Sequence, residues 1–126
     1  MEAKVYQQLA MRTNDGKASE RVTDKLETIT SDTYDIGGVL NGCLGLTGEA
    51  GEVSDMIKKW IFHQKELDAE HLKKEIGDVM WYVAMICESM DFNLDEILQM
   101  NVDKLKARYP EGFDTVKANN RKEGDV

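Results

Sequence analysis

At 126 residues, with 41% apolar and 32% charged side chains, the chain has the size of one domain with a real core. Its net charge of −8 and lack of any broad basic surface exclude a nucleic-acid duplex as the expected partner. A small anionic ligand, held through metal ions and a few local Lys or Arg, remains compatible. No apolar run reaches the length of a membrane span, so no membrane partner is expected. The opening MEAKVYQQLA lacks the basic start and apolar block of a signal peptide, which makes a cytoplasmic setting the expectation. Cys43 and Cys87 stand alone without a CxxC and read as two reduced, buried thiols.

One proline, few aromatics and many Glu, Lys, Leu and Met residues favour an all-α fold of four principal helices. The first helix spans about Glu2 to Arg12, with Val5, Leu9 and Arg12 at helical spacing, and ends near Asn14-Asp15-Gly16. Gly16 to Gly38 is mostly polar; Val22, Leu26 and Ile29 support one short amphipathic helix within it. Gly37-Gly38 reads as a break or a flexible entry to the next helix. The second long helix covers Val39 to His63 and the third Ala69 to Met90, with Asp68 as its N-cap. Their short connection predicts antiparallel neighbours. After a turn at Asp91-Phe92-Asn93 the fourth helix runs from Leu94 to Arg108 and stops before Pro110. Residues 1–113 form the expected domain, and 114–126 a polar tail expected to fray.

The segment GLTGEAGEVSDMIKKW poses the central problem. On a helical wheel Leu46, Val53, Met56, Ile57 and Trp60 form one apolar arc, with Glu49 inside it and Glu52 at its edge. The next helix repeats the pattern in KKEIGDVMWYVAMI. Leu72, Ile76, Val79, Tyr82, Val83 and Ile86 make its arc, Glu75 lies within, and Asp78 lies at the border. Each pair is spaced i, i+3 and shares a face. Facing one another, the two helices would gather four carboxylates, an arrangement that requires protonation or cations. An all-oxygen set suits Mg²⁺ or Mn²⁺. Gly48, Gly51 and Gly77 sit beside these acids. They permit two readings, close helix packing or room for ions and their waters.

The pattern Gly48-Glu49-Ala50-Gly51-Glu52 followed by Glu75-Ile76-Gly77-Asp78 resembles the MazG-like nucleoside triphosphate pyrophosphohydrolases of the all-α NTP pyrophosphatase superfamily. YQQLAMRT, IKKW, DVMWYVA and NVDKLKARYPEGF agree in order and spacing. The resemblance implies a helical bundle assembled as a homodimer or homotetramer. It also implies hydrolysis of a nucleoside triphosphate between its α and β phosphates, giving the monophosphate and pyrophosphate. Glu49, Glu52, Glu75 and Asp78 would then be the catalytic Mg²⁺ ligands. Many members carry a further Glu immediately before the first of these, where this chain has Gly48, so the resemblance leaves the number of ions open.

No Ser–His or Cys–His pairing offers a nucleophile, and His63 and His71 read as surface residues. A water activated by the metal is the expected attacker, with Glu52 as the first candidate to accept its proton. Phosphoryl transfer also needs positive charge opposite the carboxylates. Asn101, Lys104 and Arg108 share one face of the fourth helix; with the resemblance, Asn101 and Lys104 read as phosphate or ribose contacts. Lys59, beside Lys58, is a further substrate-binding candidate. Trp60, Phe62, Trp81 and Tyr82 are the aromatics available for a base slot, Trp81 being expected at a subunit interface. Gln7, Gln8 and Arg12 on the first helix could reach the pocket. Two competing readings stand. A di-iron bundle lacks His at the needed offsets, and a non-catalytic nucleotide-binding helical dimer is kept open by Gly48.

Overall fold

A computed structural model describes residues 1–28 and 34–126, so the expectation for Ile29 lies outside the described residues. Helix α1 (Ala3–Ala10) continues into a 3-10 turn at Met11–Thr13, followed by α2 (Ala18–Thr28), α3 (Ile36–Phe62), α4 (Ala69–Ser89), α5 (Leu94–Arg108) and α6 (Thr115–Asn119). Among the described residues there is no strand. None of these helices is long and apolar enough to cross a membrane.

The helix starts follow from capping chemistry. Asp35, Asp68 and Asn93 each accept a bond from a backbone N–H of the first turn, at 3.0, 3.0 and 2.9 Å. Each cap satisfies a donor that has no partner inside the helix.

The Asp35 cap overturns the expected break at Gly37-Gly38, because both glycines lie inside α3. The reason is packing. A Cβ at Gly38 would come within 2.1 Å of Ser89 Oγ, one at Gly42 within 2.6 Å of Ile86, and one at Gly45 within 2.1 Å of the Tyr82 ring. These three residues therefore let α4 approach the backbone of α3. The partners also fix the direction: as the α3 number rises from 38 to 42 to 45, the α4 number falls from 89 to 86 to 82. The helices are antiparallel, as their short connection predicts. Asp35 N–H donates to Ser89 C=O at 2.8 Å and ties off the far end of the pair.

Outside this hairpin the chain is open. α3 and α4 form the only substantial helix–helix packing among the described residues; α1, α2 and α5 make at most marginal contact with it. The only buried residues described are Gly38, Gly42, Cys87 and Ser89. Cys87 is thus buried as expected, but Cys43 is exposed. Total accessible area is 10491 Å², whereas a compact monomer of 14.3 kDa would expose roughly 6,800 Å². Leu98, Val102 and Leu105 of α5 are among the exposed apolar side chains. Within one chain, the expected four-helix bundle is represented by a two-helix hairpin.

Within the polar segment after Phe113, residues Thr115–Asn119 form α6, whose first turn is capped by Asp114. The segment then returns Asp125 to Arg108.

Candidate metal centre

The antiparallel register that pairs Gly45 with Tyr82 continues one turn along α3, bringing Glu49 opposite Glu75 and Asp78. Each of these three carboxylates offers an oxygen, and the three oxygens lie within 4.8 Å of one another. Oxygens sharing one Mg²⁺ at about 2.1 Å lie no more than about 4.2 Å apart, so small side-chain rotations bring this set onto one ion. The donors are all hard oxygens, which fits the cation expected.

The electrostatics agree with the geometry. The Glu49 carboxyl is held above its usual range, first by a hydrogen bond to Glu75, then by burial, then by the charges of Glu75, Asp78 and Glu52. Like charges brought this close favour the uptake of positive charge by the cluster.

Glu52 does not join the three-oxygen group. It is exposed, and its charge still reaches Glu49. Lys59, a substrate-binding candidate from the sequence, pairs with Asp55 at 2.6 Å. That bond raises the Lys59 pKa and lowers that of Asp55.

His71 reads from the sequence as a surface residue, and its ring is exposed. Yet its Nε2 lies 2.8 Å from Glu75 Oε1, whose side chain is only 16% exposed. The signal was present in the sequence, since His71 and Glu75 are spaced i, i+4 on one face of α4. A His fixing a ligand carboxylate is an outer-shell arrangement that orients the ligand and tunes its basicity.

Beside the acids is an open cavity of about 350 Å³ lined by Glu49, Asp78, Trp81 and Tyr82. The two rings meet edge to face, 5.0 Å apart at 84°. Trp81, expected at an interface, therefore borders the acidic site. Trp60 is 47% exposed and is not part of that lining.

The packing role expected as one reading of Gly48, Gly51 and Gly77 does not hold within the chain. A Cβ at any of them would meet nothing within 4 Å; the close-packing glycines are Gly38, Gly42 and Gly45. The three near the acids leave open space instead.

Asn101, Lys104 and Arg108 lie on α5, which has no substantial packing against the α3–α4 hairpin. Within one chain they are not assembled with the acids. Arg108 is already engaged: its Nε and Nη2 donate to Asp125 at 2.9 and 2.6 Å.

Comparison with known proteins agrees with this geometry. The MazG nucleotide pyrophosphohydrolase domain matches residues 40–113, a span that holds all four motif acids and the basic face of α5. The chain is similar to the Gene 37 protein of Mycobacterium phage L5, 36% identical over 95 residues that cover 71% of this chain and 82% of that protein. No solved structure matches it. A hairpin that gathers three carboxylates, inside a match spanning more than half of the sequence, makes the chain a member of the MazG nucleotide pyrophosphohydrolase domain family.

Proposed function

We propose that the chain is a Mg²⁺-dependent nucleoside triphosphate pyrophosphohydrolase that cleaves a ribo- or deoxyribonucleoside triphosphate to its monophosphate and pyrophosphate. The carrying observation is the convergence of Glu49, Glu75 and Asp78 from two facing helices, with the Glu49 pKa raised by its acidic neighbours. Mg²⁺, or Mn²⁺ in its place, supplies the charge that acidifies water and screens the phosphates.

The residues then divide the work. Glu49, Glu75 and Asp78 hold the ion, and His71 orients Glu75 through their 2.8 Å contact. Glu52, exposed beside the cluster, accepts the proton of the attacking water. Trp81 and Tyr82 form one wall of the nucleoside slot. Lys59 and Trp60, on the last turn of α3, and Asn101, Lys104 and Arg108, on α5, form the polyphosphate side.

Because α5 does not reach the acids of its own chain, a second copy presents it, in a homodimer or homotetramer. The excess accessible area and the exposed Leu98, Val102 and Leu105 support this assembly, since apolar surface of that extent calls for a partner. The free thiol of Cys43, exposed to solvent, suits a cytoplasmic setting.

The test is pyrophosphate release from nucleoside triphosphates with Mg²⁺ present. Glu49→Gln and Asp78→Asn should abolish release while the helical circular dichroism is kept; full activity in either variant removes the proposal. Saturable nucleotide binding with no product over hours would instead make the chain a binding module, the reading that Gly48 keeps open.

A further inference from the structure

A second cavity lies away from the acid-lined one, between the last turn of α5 and the segment beyond it, and measures about 520 Å³. Lys104 and Arg108 line it from α5, and Lys117, Arg121 and Lys122 from the following segment, against only Glu123 and Asp125 of opposite charge. Of these five cations only Arg108 makes an ion pair with a described residue. Its side chain is 9% exposed and that of Asp125 20%.

The contact is a two-bond fork: Arg108 Nε to Asp125 Oδ2 at 2.9 Å, and Nη2 to Oδ1 at 2.6 Å. Local backbone makes it possible. Gly124 adopts φ of 85°, a left-handed turn that a side chain resists, and Asp125 N–H closes onto Lys122 C=O at 3.0 Å. The turn aims the Asp125 carboxylate back into the cavity. There its acidity is strengthened first by Arg108, and also by the charges of Arg121 and Lys104.

A planar guanidinium presents the same fork to a carboxylate and to a phosphate. We propose that this cavity is a phosphoryl-anion site and that Asp125 is a built-in competitor for it, so that the segment from Asp114 to Asp125 restrains substrate capture by Arg108 and Lys104. The proposal rests on the reading that these two residues take the substrate phosphates; it adds Lys117, Arg121 and Lys122 to the site and names its regulation. Occupancy by Asp125 reduces the fraction of molecules competent to bind, and so weakens apparent affinity by that fraction.

The test is calorimetric titration of the full chain with inorganic triphosphate and, separately, with dATP, both in EDTA so that no divalent ion contributes. Asp125→Asn should bind triphosphate on the order of tenfold more tightly than the unaltered chain. Arg108→Gln combined with Asp125→Asn should show no gain over Arg108→Gln alone. Lys122→Gln in the Asp125→Asn background should weaken binding again. Equal affinity of Asp125→Asn and the unaltered chain overturns the proposal, as does a gain that persists without Arg108. A gain for dATP but not for triphosphate would move recognition to the nucleoside and also overturn it. Pyrophosphate release, measured separately with Mg²⁺, reports on the catalytic reading alone: tighter triphosphate binding by Asp125→Asn in a chain that releases no pyrophosphate would sink that reading and leave this one standing.

Discussion

The acidic hairpin and the basic cavity handle excess charge in opposite ways. On α3 and α4, Glu49, Glu75 and Asp78 are pressed together, and among the described residues only His71 pairs with one of them. At the end of α5 the chain brings its own counterion, Asp125, to Arg108. The first region is an incomplete neutralisation that, on the proposed reading, a cation from solution would finish. In the second, Arg108 is already neutralised within the chain, so an anion that takes its two-bond fork must displace Asp125. The contrast separates a site poised to gain an ion from one poised to exchange.

The largest effect should follow from breaking the first region. Glu75→Gln removes both an ion ligand and the partner of His71, and we expect a loss of activity exceeding about 100-fold, beyond what outer-shell changes produce. His71→Ala should cost roughly 10-fold in activity or in metal affinity. A split in which His71→Ala weakens metal dependence and leaves nucleotide affinity unchanged would sharpen its role as an orienting residue.

Stability effects come next. Gly45→Ala places a Cβ 2.1 Å from the Tyr82 ring and should destabilise by about 1–3 kcal/mol, as overpacking does. Gly48→Ala meets nothing within 4 Å, and should stabilise α3 by about 1 kcal/mol through helix propensity. Denaturant midpoints check both. A loss at Gly48 instead would reveal a partner copy packed on that face.

The pH response should have opposite signs in the two regions. Glu49 is raised from its usual 4.5, so without divalent ions the folded chain binds that proton more tightly than the unfolded one. Its contribution to stability is present below pH 4.5 and fades as pH rises through the raised value. Asp125 is lowered from its usual 3.8, so its contact stabilises above that value and is lost as pH falls through the lowered one. In metal-free protein, Glu49→Gln should flatten the first dependence, and Asp125→Asn the second, in pH-resolved denaturant titrations. Added Mg²⁺ should stabilise the folded chain more at neutral pH than near pH 4.5.

The features that could be read from sequence were those where local rules conflict. Glu49 and Glu75 stood out because a carboxylate inside an apolar arc contradicts the helical period around it, and the conflict pointed to their convergence. Helix α5 was bounded correctly because Asn93 caps it and Pro110 forbids its extension. The stripe Gly38, Gly42, Gly45 escaped notice because glycine signals both a break and a close approach, and only the facing helix decides which. That Cys43 is exposed follows from which helices fail to cover α3, a fact no single-helix pattern contains. The Arg108–Asp125 clasp joins residues 17 apart through a left-handed turn at Gly124, and a polar stretch gives no periodic hint of it.

Divalent-ion binding tests the central claim most directly. Mn²⁺ free in solution gives a six-line electron paramagnetic resonance signal that diminishes when the ion is held by protein. Titration of the unaltered chain should remove that signal saturably, and Glu49→Gln combined with Asp78→Asn should restore it at the same protein concentration. A signal unaffected by the unaltered chain, or suppressed equally by the double variant, would contradict the assignment of these helices as a metal centre.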